Sequence, residues 1–230
     1  MGAEPEISII IPVENESGTI GALLDVLAPM KECCEVVFVD GGSGDDTVRK
    51  IQSTGFTVIL SPDKGRANQM NHGVSVAGGE VLWFLHADST PPKNAPEQIS
   101  NVIGKGYKAG CFRIRFSSKN PLMLYNAIAS NLRVRTRNIA FGDQGIFIRR
   151  QLFEELGGYA PIPLMEDYQL SMDIKKAGLT FGVAKGVIKT SARRYQKYGI
   201  LKTMLLMQVL QRRYRRGGDV EEIAKAYNMR

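Results

Sequence analysis

Three short apolar runs, each ending in a cluster of polar residues, constrain this chain more than any other feature. Residues 7–13 form a β-branched run interrupted only by Ser8 and Pro12, and residues 35–39 and 81–85 are two more such runs. A run without polar alternation has no wet face, so both its faces must be covered, as in a parallel sheet flanked by helices. The intervening segments supply those helices. Residues 18–30 carry Ile20, Leu23, Leu24 and Leu27 at helical spacing, residues 46–51 can open a helix on acidic residues, and residues 66–77 read as another. With a further strand at residues 57–60, the first 90 residues read β-α-β-α-β-α-β. That alternation is the α/β class with a mostly parallel sheet.

Beyond Pro91 and Pro92 the pattern is less regular. Residues 95–103 look helical, residues 110–116 alternate like a half-exposed strand, and residues 122–137 read as helix leading into loop. A short strand is expected at residues 145–148. Helices follow at residues 151–156 and 167–177, stopped by Gly157-Gly158 and Gly178. The second half is therefore an elaborated α+β region that completes the same sheet. Residues 198–216 offer an amphipathic basic helix. Such a helix either packs on its own domain or lies on an anionic membrane surface.

At 230 residues, 43% of them hydrophobic and 23% charged, the chain suits one large folded domain or a domain with a short appendage. The net charge of +7 favours anionic partners. Its sources are local: Arg133, Arg135 and Arg137 form one cluster, and Arg193 through Arg216 hold another. Cys33, Cys34 and Cys111 fit neither a metal-ligand spacing nor a disulfide framework, which points to a reducing cytoplasm. The first six residues are polar and do not read as a signal peptide, and the apolar stretch at residues 200–210 is too short to span a bilayer.

In an open parallel sheet, ligands bind outside the carboxyl ends of the strands. Polar clusters stand at three such ends: Pro12 with Glu14, Asn15 and Glu16; Asp40-Gly41-Gly42-Ser43 with Asp45 and Asp46; and His86-Ala87-Asp88. Each has a plainer reading as a turn or helix cap. Taken in order, however, they resemble the family 2 glycosyltransferases of the GT-A fold. The resemblance continues through Gly142-Asp143-Gln144-Gly145 and Met165-Glu166-Asp167-Tyr168 and covers about residues 7–195. Gly65-Arg66-Ala67 with Gln69-Met70-Asn71, Leu85-His86-Ala87-Asp88 and Thr190 through Tyr195 further resemble a small bacterial subgroup labelled as arsenosugar-biosynthesis glycosyltransferases.

The resemblance implies a GT-A domain over residues 1–195, nucleotide-binding to about residue 90 and acceptor-binding beyond it, with residues 196–230 as a helical appendage. It implies a nucleotide-sugar donor and inverting transfer to an acceptor hydroxyl, on a small molecule or a lipid. Asp40 would accept a hydrogen bond from the base, with Pro12, Glu14 and Glu16 lining the same pocket. Asp88 would ligate Mg²⁺ or Mn²⁺, hard ions that share few carboxylates with substrate phosphates. The family's usual Asp-x-Asp is His86-Ala87-Asp88 here, so His86 becomes a direct ligand contact or a structural strand-end residue. Asp167 would be the general base, paired with Glu166 on the acceptor side. Arg66, Arg193 and Arg194 are diphosphate candidates, because guanidinium forks match phosphate oxygens. Gln69 would orient sugar or ribose hydroxyls, and Asp143 and Gln144 would shape the sugar or acceptor side.

Competing classes fare worse. The turn after the first strand lacks the Gly-x-Gly-x-x-Gly of a Rossmann oxidoreductase and the Gly- and Arg-rich loop of a sugar-nucleotide pyrophosphorylase. No aromatic-basic stacking motif favours nucleic acid. A noncatalytic nucleotide-sugar or carbohydrate-binding module on the same fold stays open as the alternative.

Overall fold

The computed structural model describes residues 7–228, so the N-terminal stretch considered for targeting lies outside it. The expected alternation is there: β1 (Ile7–Val13), α1 (Ile20–Leu27), β2 (Cys34–Asp40), α2 (Thr47–Ser53), β3 (Thr57–Leu60), α3 (Arg66–Val76) and β4 (Val81–Phe84). All seven residues of β1 are buried. Successive side chains point to opposite faces. Ile9 and Ile11 therefore join Phe38, Trp83 and the α1 leucines in one core, and Ile10 joins Val37, Val39, Phe84 and Met70 of α3 in the other. Fully burying each such side chain contributes about 1.5–3 kcal/mol, which is why the central strands tolerate no polar alternation.

The second half adds β5 (Ser89–Thr90), α4 (Ala95–Gly104), β6 (Ala109–Phe116), α5 (Pro121–Arg137), β7 (Phe147–Arg149), α6 (Arg150–Glu155), α7 (Glu166–Lys176), β8 (Phe181–Thr190), α8 (Arg193–Tyr198), α9 (Ile200–Arg215) and α10 (Val220–Asn228). The described residues form one eight-stranded sheet in the order β3-β2-β1-β4-β7-β6-β8-β5. The β1, β2, β3 and β4 pairings and the β6–β8 pairing are parallel, whereas β7 and β5 run antiparallel to their neighbours. The fold is thus a mostly parallel α/β sheet, as expected. The chain reverses its direction of winding between β1 and β4, so their carboxyl ends flank the crevice where α/β sheets bind ligands.

Several details depart from the sequence reading. The helix at α5 runs unbroken until Asn138 closes it in the left-handed region at φ 57°. The basic helix expected over residues 198–216 is α9, and Gly199, whose φ of 88° suits glycine, separates it from the short α8 that precedes it. Strand β8 and helix α10 were not foreseen. Rather than trailing away, α9 and α10 pack back through Leu210 and Ile223 onto Ile139, Met165 and Tyr168. No helix of the described residues is long and apolar enough to cross a membrane.

Candidate active site

The loops after β1 and β2 are tied together before any ligand arrives. Asn15, at φ 54°, receives the Gly44 N–H on its Oδ1 at 2.9 Å, and its own N–H goes to Ser43 Oγ at 2.9 Å. The Glu16 N–H donates to Thr47 Oγ1 at 2.8 Å. The turn residues seen in the sequence thus weld two strand ends into one rigid rim. Asp40 belongs to this weld: its Oδ2 accepts the N–H groups of Gly42 and Ser43, each at 3.0 Å. The residue is buried, and it does not line the cavity below it. Gln69, expected to meet hydroxyls, gives its Nε2 hydrogens to Val13 O (2.9 Å) and Val39 O (2.8 Å), bracing the same two strands. Gly41 lacks a side chain where Gln69 passes, since a Cβ there would lie 3.0 Å from Nε2.

Below this rim opens a cavity of about 810 Å³. Pro12, Glu14, Glu16, Arg66, Gln69, His86 and Asp88 line it from the first half, and Asp143, Glu166, Asp167 and Arg194 from the second. Arg193 stands at its edge, with Nη2 3.2 Å from Glu16 Oε2 and 3.7 Å from Asp88 Oδ2. Gln144 does not reach the cavity. Its Oε1 accepts from Arg133 Nη2 (3.0 Å) and from the Phe141 N–H (3.2 Å), so it shapes the wall from behind.

Asp167 is held by two backbone N–H groups. Met165 enters the left-handed region at φ 71° and starts α7 there, which turns the first residues of the helix into the cavity. Asp167 Oδ2 accepts the Gly142 N–H at 2.7 Å and Oδ1 the Tyr168 N–H at 2.6 Å. Burial raises its pKa, against the opposing pull of Gly142, Arg66 and Arg133. Burial likewise raises Glu166, which pairs with Arg66 Nη1 at 3.4 Å. Asp143, its Oδ1 buried without a partner, is pushed up to about 6 by burial although Arg133 opposes the shift. Asp88 is also raised by burial, with Arg193 acting against it.

His86 sits against Gly142, where an added Cβ would lie 2.4 Å from its Nε2. Burial, aided by Arg66, pushes its pKa down to about 3, so the ring is neutral at pH 7. The site therefore holds desolvated carboxylates, a neutral imidazole and guanidiniums around one cavity. Such clustering of perturbed groups in a cleft is the physical mark of a functional site.

Some of the wall escaped sequence reasoning. Arg133 lines the cavity with its guanidinium 4.0 Å from the Phe141 ring, while Arg135 and Arg137 stay exposed. Helical phase carried that distinction, because Arg133 follows Ser130 by one turn and shares its inward face. Met204, Gln211 and Tyr227 close the far side, and Arg194 is locked there with its guanidinium 3.4 Å from the Tyr227 ring. No local signal pointed to these contacts.

The glycosyl transferase family 2 signature matches residues 8–157 of this chain. The chain belongs to that family. Among curated relatives of this family 2 chain, the probable glycosyltransferase YdaM of Bacillus subtilis (strain 168) is 26% identical over 200 residues, or 76% of this chain and 47% of YdaM. The PGL/p-HBAD biosynthesis glycosyltransferase of Mycobacterium bovis (strain BCG / Pasteur 1173P2) is 38% identical over 168 residues, or 68% of this chain and 64% of that protein. The chain thus spans from about half to just under two thirds of the length of these relatives.

Among solved structures, the mannosyltransferase PcManGT from Pyrobaculum calidifontis, in complex with GDP-Man and Mn²⁺, aligns over 98% of this chain and 70% of its own at 22% identity, with a TM-score of 0.69. Glucosyl-3-phosphoglycerate synthase from Mycobacterium tuberculosis, in complex with Mn²⁺, UDP and glucosyl-3-phosphoglycerate, aligns over 82% and 71% at 18% identity, with a TM-score of 0.57. These likenesses establish the fold, the GT-A arrangement that the motifs implied.

Among the described residues no group of three His, Cys, Asp or Glu side chains could hold a metal ion. Asp88 is a single oxygen donor open to the cavity, with Glu16 beside it and the Arg193 guanidinium reaching both. A cationic group already bridges the two carboxylates, which marks a place that favours positive charge. The residues fit a hard divalent ion that takes most of its ligands from substrate phosphates and water.

Proposed function

We propose that this family 2 chain is an inverting glycosyltransferase that moves a sugar from a nucleoside-diphosphate sugar to an acceptor hydroxyl. The observation that carries this reading is Asp167: a desolvated carboxylate, fixed by two backbone N–H groups, facing a cavity that Asp88 and Arg66 also line, with Arg193 at its edge. On this reading Pro12, Glu14 and Glu16 cradle the nucleoside. Asp40, whose two oxygens are taken up by the N–H groups of Gly42 and Ser43 and by the Ser43 hydroxyl, acts on the nucleoside through the Gly41–Ser43 turn that it holds in place. Arg66 and Arg193 meet the diphosphate, where negative charge grows as it leaves, while Arg194, the third candidate, is held against Tyr227 and lends its charge to the cavity from there. Asp88 would hold Mg²⁺ or Mn²⁺, which would supply Lewis-acid neutralisation of that charge.

On the other side, Asp167 accepts the proton of the acceptor hydroxyl while the acceptor oxygen bonds to the anomeric carbon. The bond from that carbon to the diphosphate oxygen breaks with both electrons on the diphosphate, so the anomeric configuration inverts. The raised pKa brings Asp167 nearer neutrality, which strengthens it as a base while leaving it ionised in solution above its titration range. Neutral His86 borders the base without adding a charge that would weaken it. Glu166 fixes Arg66, and Asp143 with Arg133 lines the sugar or acceptor side. The narrower resemblance to the arsenosugar-biosynthesis subgroup rests partly on the His86-Ala87-Asp88 stretch and is carried here as part of the proposal.

Asp167→Asn tests the assignment. The variant is expected to bind nucleotide sugar as the parent does and to lose transfer and donor hydrolysis by at least about a hundredfold, the low end for general-base removal. A variant that transfers sugar at the parental rate would remove Asp167 from the chemistry. If the parent itself binds donor but turns over none with any acceptor, the binding-module alternative is favoured.

A further inference from the structure

Helices α5 and α9 pack against each other and leave a joint outer face that the rest of the domain does not cover. On α5, Leu124, Ile128 and Leu132 recur every fourth residue, and on α9 Leu201, Leu205 and Val209 do the same; each is more than half exposed. Both stripes then change character in the same way. One turn past Leu132 stands exposed Arg135, and one and two turns past Val209 stand exposed Arg212 and Arg216.

The two stretches of chain that form the face carry a single sign of charge, and the acids next to it in the fold are Glu221 and Glu222 of α10, which packs on α9. Residues 98–142, which include α5, contain eight Lys or Arg and no Asp or Glu; residues 174–218, which include α9, contain twelve and none. Moreover, the face adjoins the cavity: Tyr125, Leu201 and Leu205 line the same space as Asp143 and Asp167.

We propose that the α5–α9 face docks the protein on an anionic membrane surface, with its apolar stripes in the interfacial layer and the arginines against lipid phosphates. Apolar residues on one face with basic residues at its border are the features by which helices lie in a membrane interface. A second copy of the chain is a poorer occupant, because pairing this face with itself would set arginine against arginine with no acid in either stretch to offset it. The inference extends the sugar-transfer reading by placing its acceptor in the lipid headgroup layer, where the apolar end of the cavity opens.

The test is co-sedimentation of the whole chain, without donor, with vesicles of phosphatidylcholine alone or with about one-third phosphatidylglycerol. Binding is expected only to the anionic vesicles and is expected to weaken in high salt. Two double variants avoid the cavity lining. Ile128→Glu with Val209→Glu should abolish pelleting, and Arg212→Ala with Arg216→Ala should lower the partition coefficient about thirtyfold, since each basic residue near such a surface contributes about fivefold. If melting shows that the glutamate pair disturbs folding, the arginine pair, wholly on the surface, decides alone. No pelleting of the parent, or parental pelleting by the arginine pair, overturns the proposal. So does a dimer, seen by light scattering, that the glutamate pair dissolves while vesicles bind neither form. Because the readout needs no donor, failure here leaves sugar transfer standing, whereas a chain that binds vesicles but no nucleotide sugar fails only as a transferase.

Discussion

Gly142 is the position where the smallest change should do the most. Its N–H holds Asp167 Oδ2 at 2.7 Å, and its missing side chain makes room for His86. In Gly142→Ala the new methyl would start 2.4 Å from His86 Nε2, 2.8 Å from its Cε1 and 3.4 Å from Asp167 Oδ2. The first two approaches are too short to persist, so the half-buried ring is pushed toward the cavity or the turn at residues 142–144 shifts, and either movement disturbs the contact between Gly142 and Asp167.

Overpacking of this kind costs about 1–3 kcal/mol. For a chain of this size that lowers the melting temperature by about 2–12 °C, at about 2–4 °C per kcal/mol. Misplacing a reacting group by about 1 Å costs on the order of a hundredfold in rate. Losing the N–H also removes a contact that lowers the Asp167 pKa. The base must be ionised to act, so the acid limb of kcat/KM should move to higher pH. Melting curves and pH–rate profiles of parent and variant check all three effects. Gly21→Ala, in α1 with nothing within 4 Å of the added Cβ, serves as control and should leave activity unchanged. If Gly142→Ala keeps the parental melting temperature, rate and acid limb, the arrangement of His86, Gly142 and Asp167 described above is wrong.

Further expectations concern charge. Arg66→Met leaves Glu166 buried without its partner and removes a diphosphate contact. With Arg66 itself half exposed, the stability loss should be about 1–2 kcal/mol, smaller than for a wholly buried pair, and calorimetry should show donor affinity falling with it. His86, at about 3 when folded and about 6.5 when unfolded, stabilises the folded chain fully above pH 6.5 and progressively less as pH falls toward 3. Asp143, raised to about 6, works the other way: the folded state takes up its proton first, so its contribution grows as pH falls from about 6 to about 3.9. His86→Gln removes only the first effect. Its melting temperature should fall less than the parent's between about pH 7 and pH 5, and equal slopes would show that His86 is not buried neutral.

The nucleotide half was legible because its strands are buried on both faces, and such strands announce themselves as unbroken apolar runs. Strand β8 did not, because Lys185, Val187 and Lys189 face solvent along its exposed side and Gly186 sits among them. The acidic and basic residues of the site were legible as motifs at strand and helix ends, but their partners were not. That Asp40 turns its carboxylate to Gly42 and Ser43 follows from local turn chemistry and lay open in the Asp-Gly-Gly-Ser string. That Arg194 lies against Tyr227, or that Met204 and Gln211 close the cavity, depends on long-range packing across the α8–α10 hairpins, which no local pattern encodes. Arg133 falls between these cases: its type and cluster were visible, and only its phase against Ser130 separated it from its exposed neighbours.

The central claim, that this cavity takes a nucleoside-diphosphate sugar, is tested most directly by melting the chain with UDP-, GDP- and dTDP-sugars, each with and without Mn²⁺. At about a hundredfold excess over Kd, a bound donor adds about 2.7 kcal/mol, or roughly 5–11 °C. The expected result is a shift of that order with at least one donor, larger with Mn²⁺ than without. No shift with any donor in either condition would contradict the account.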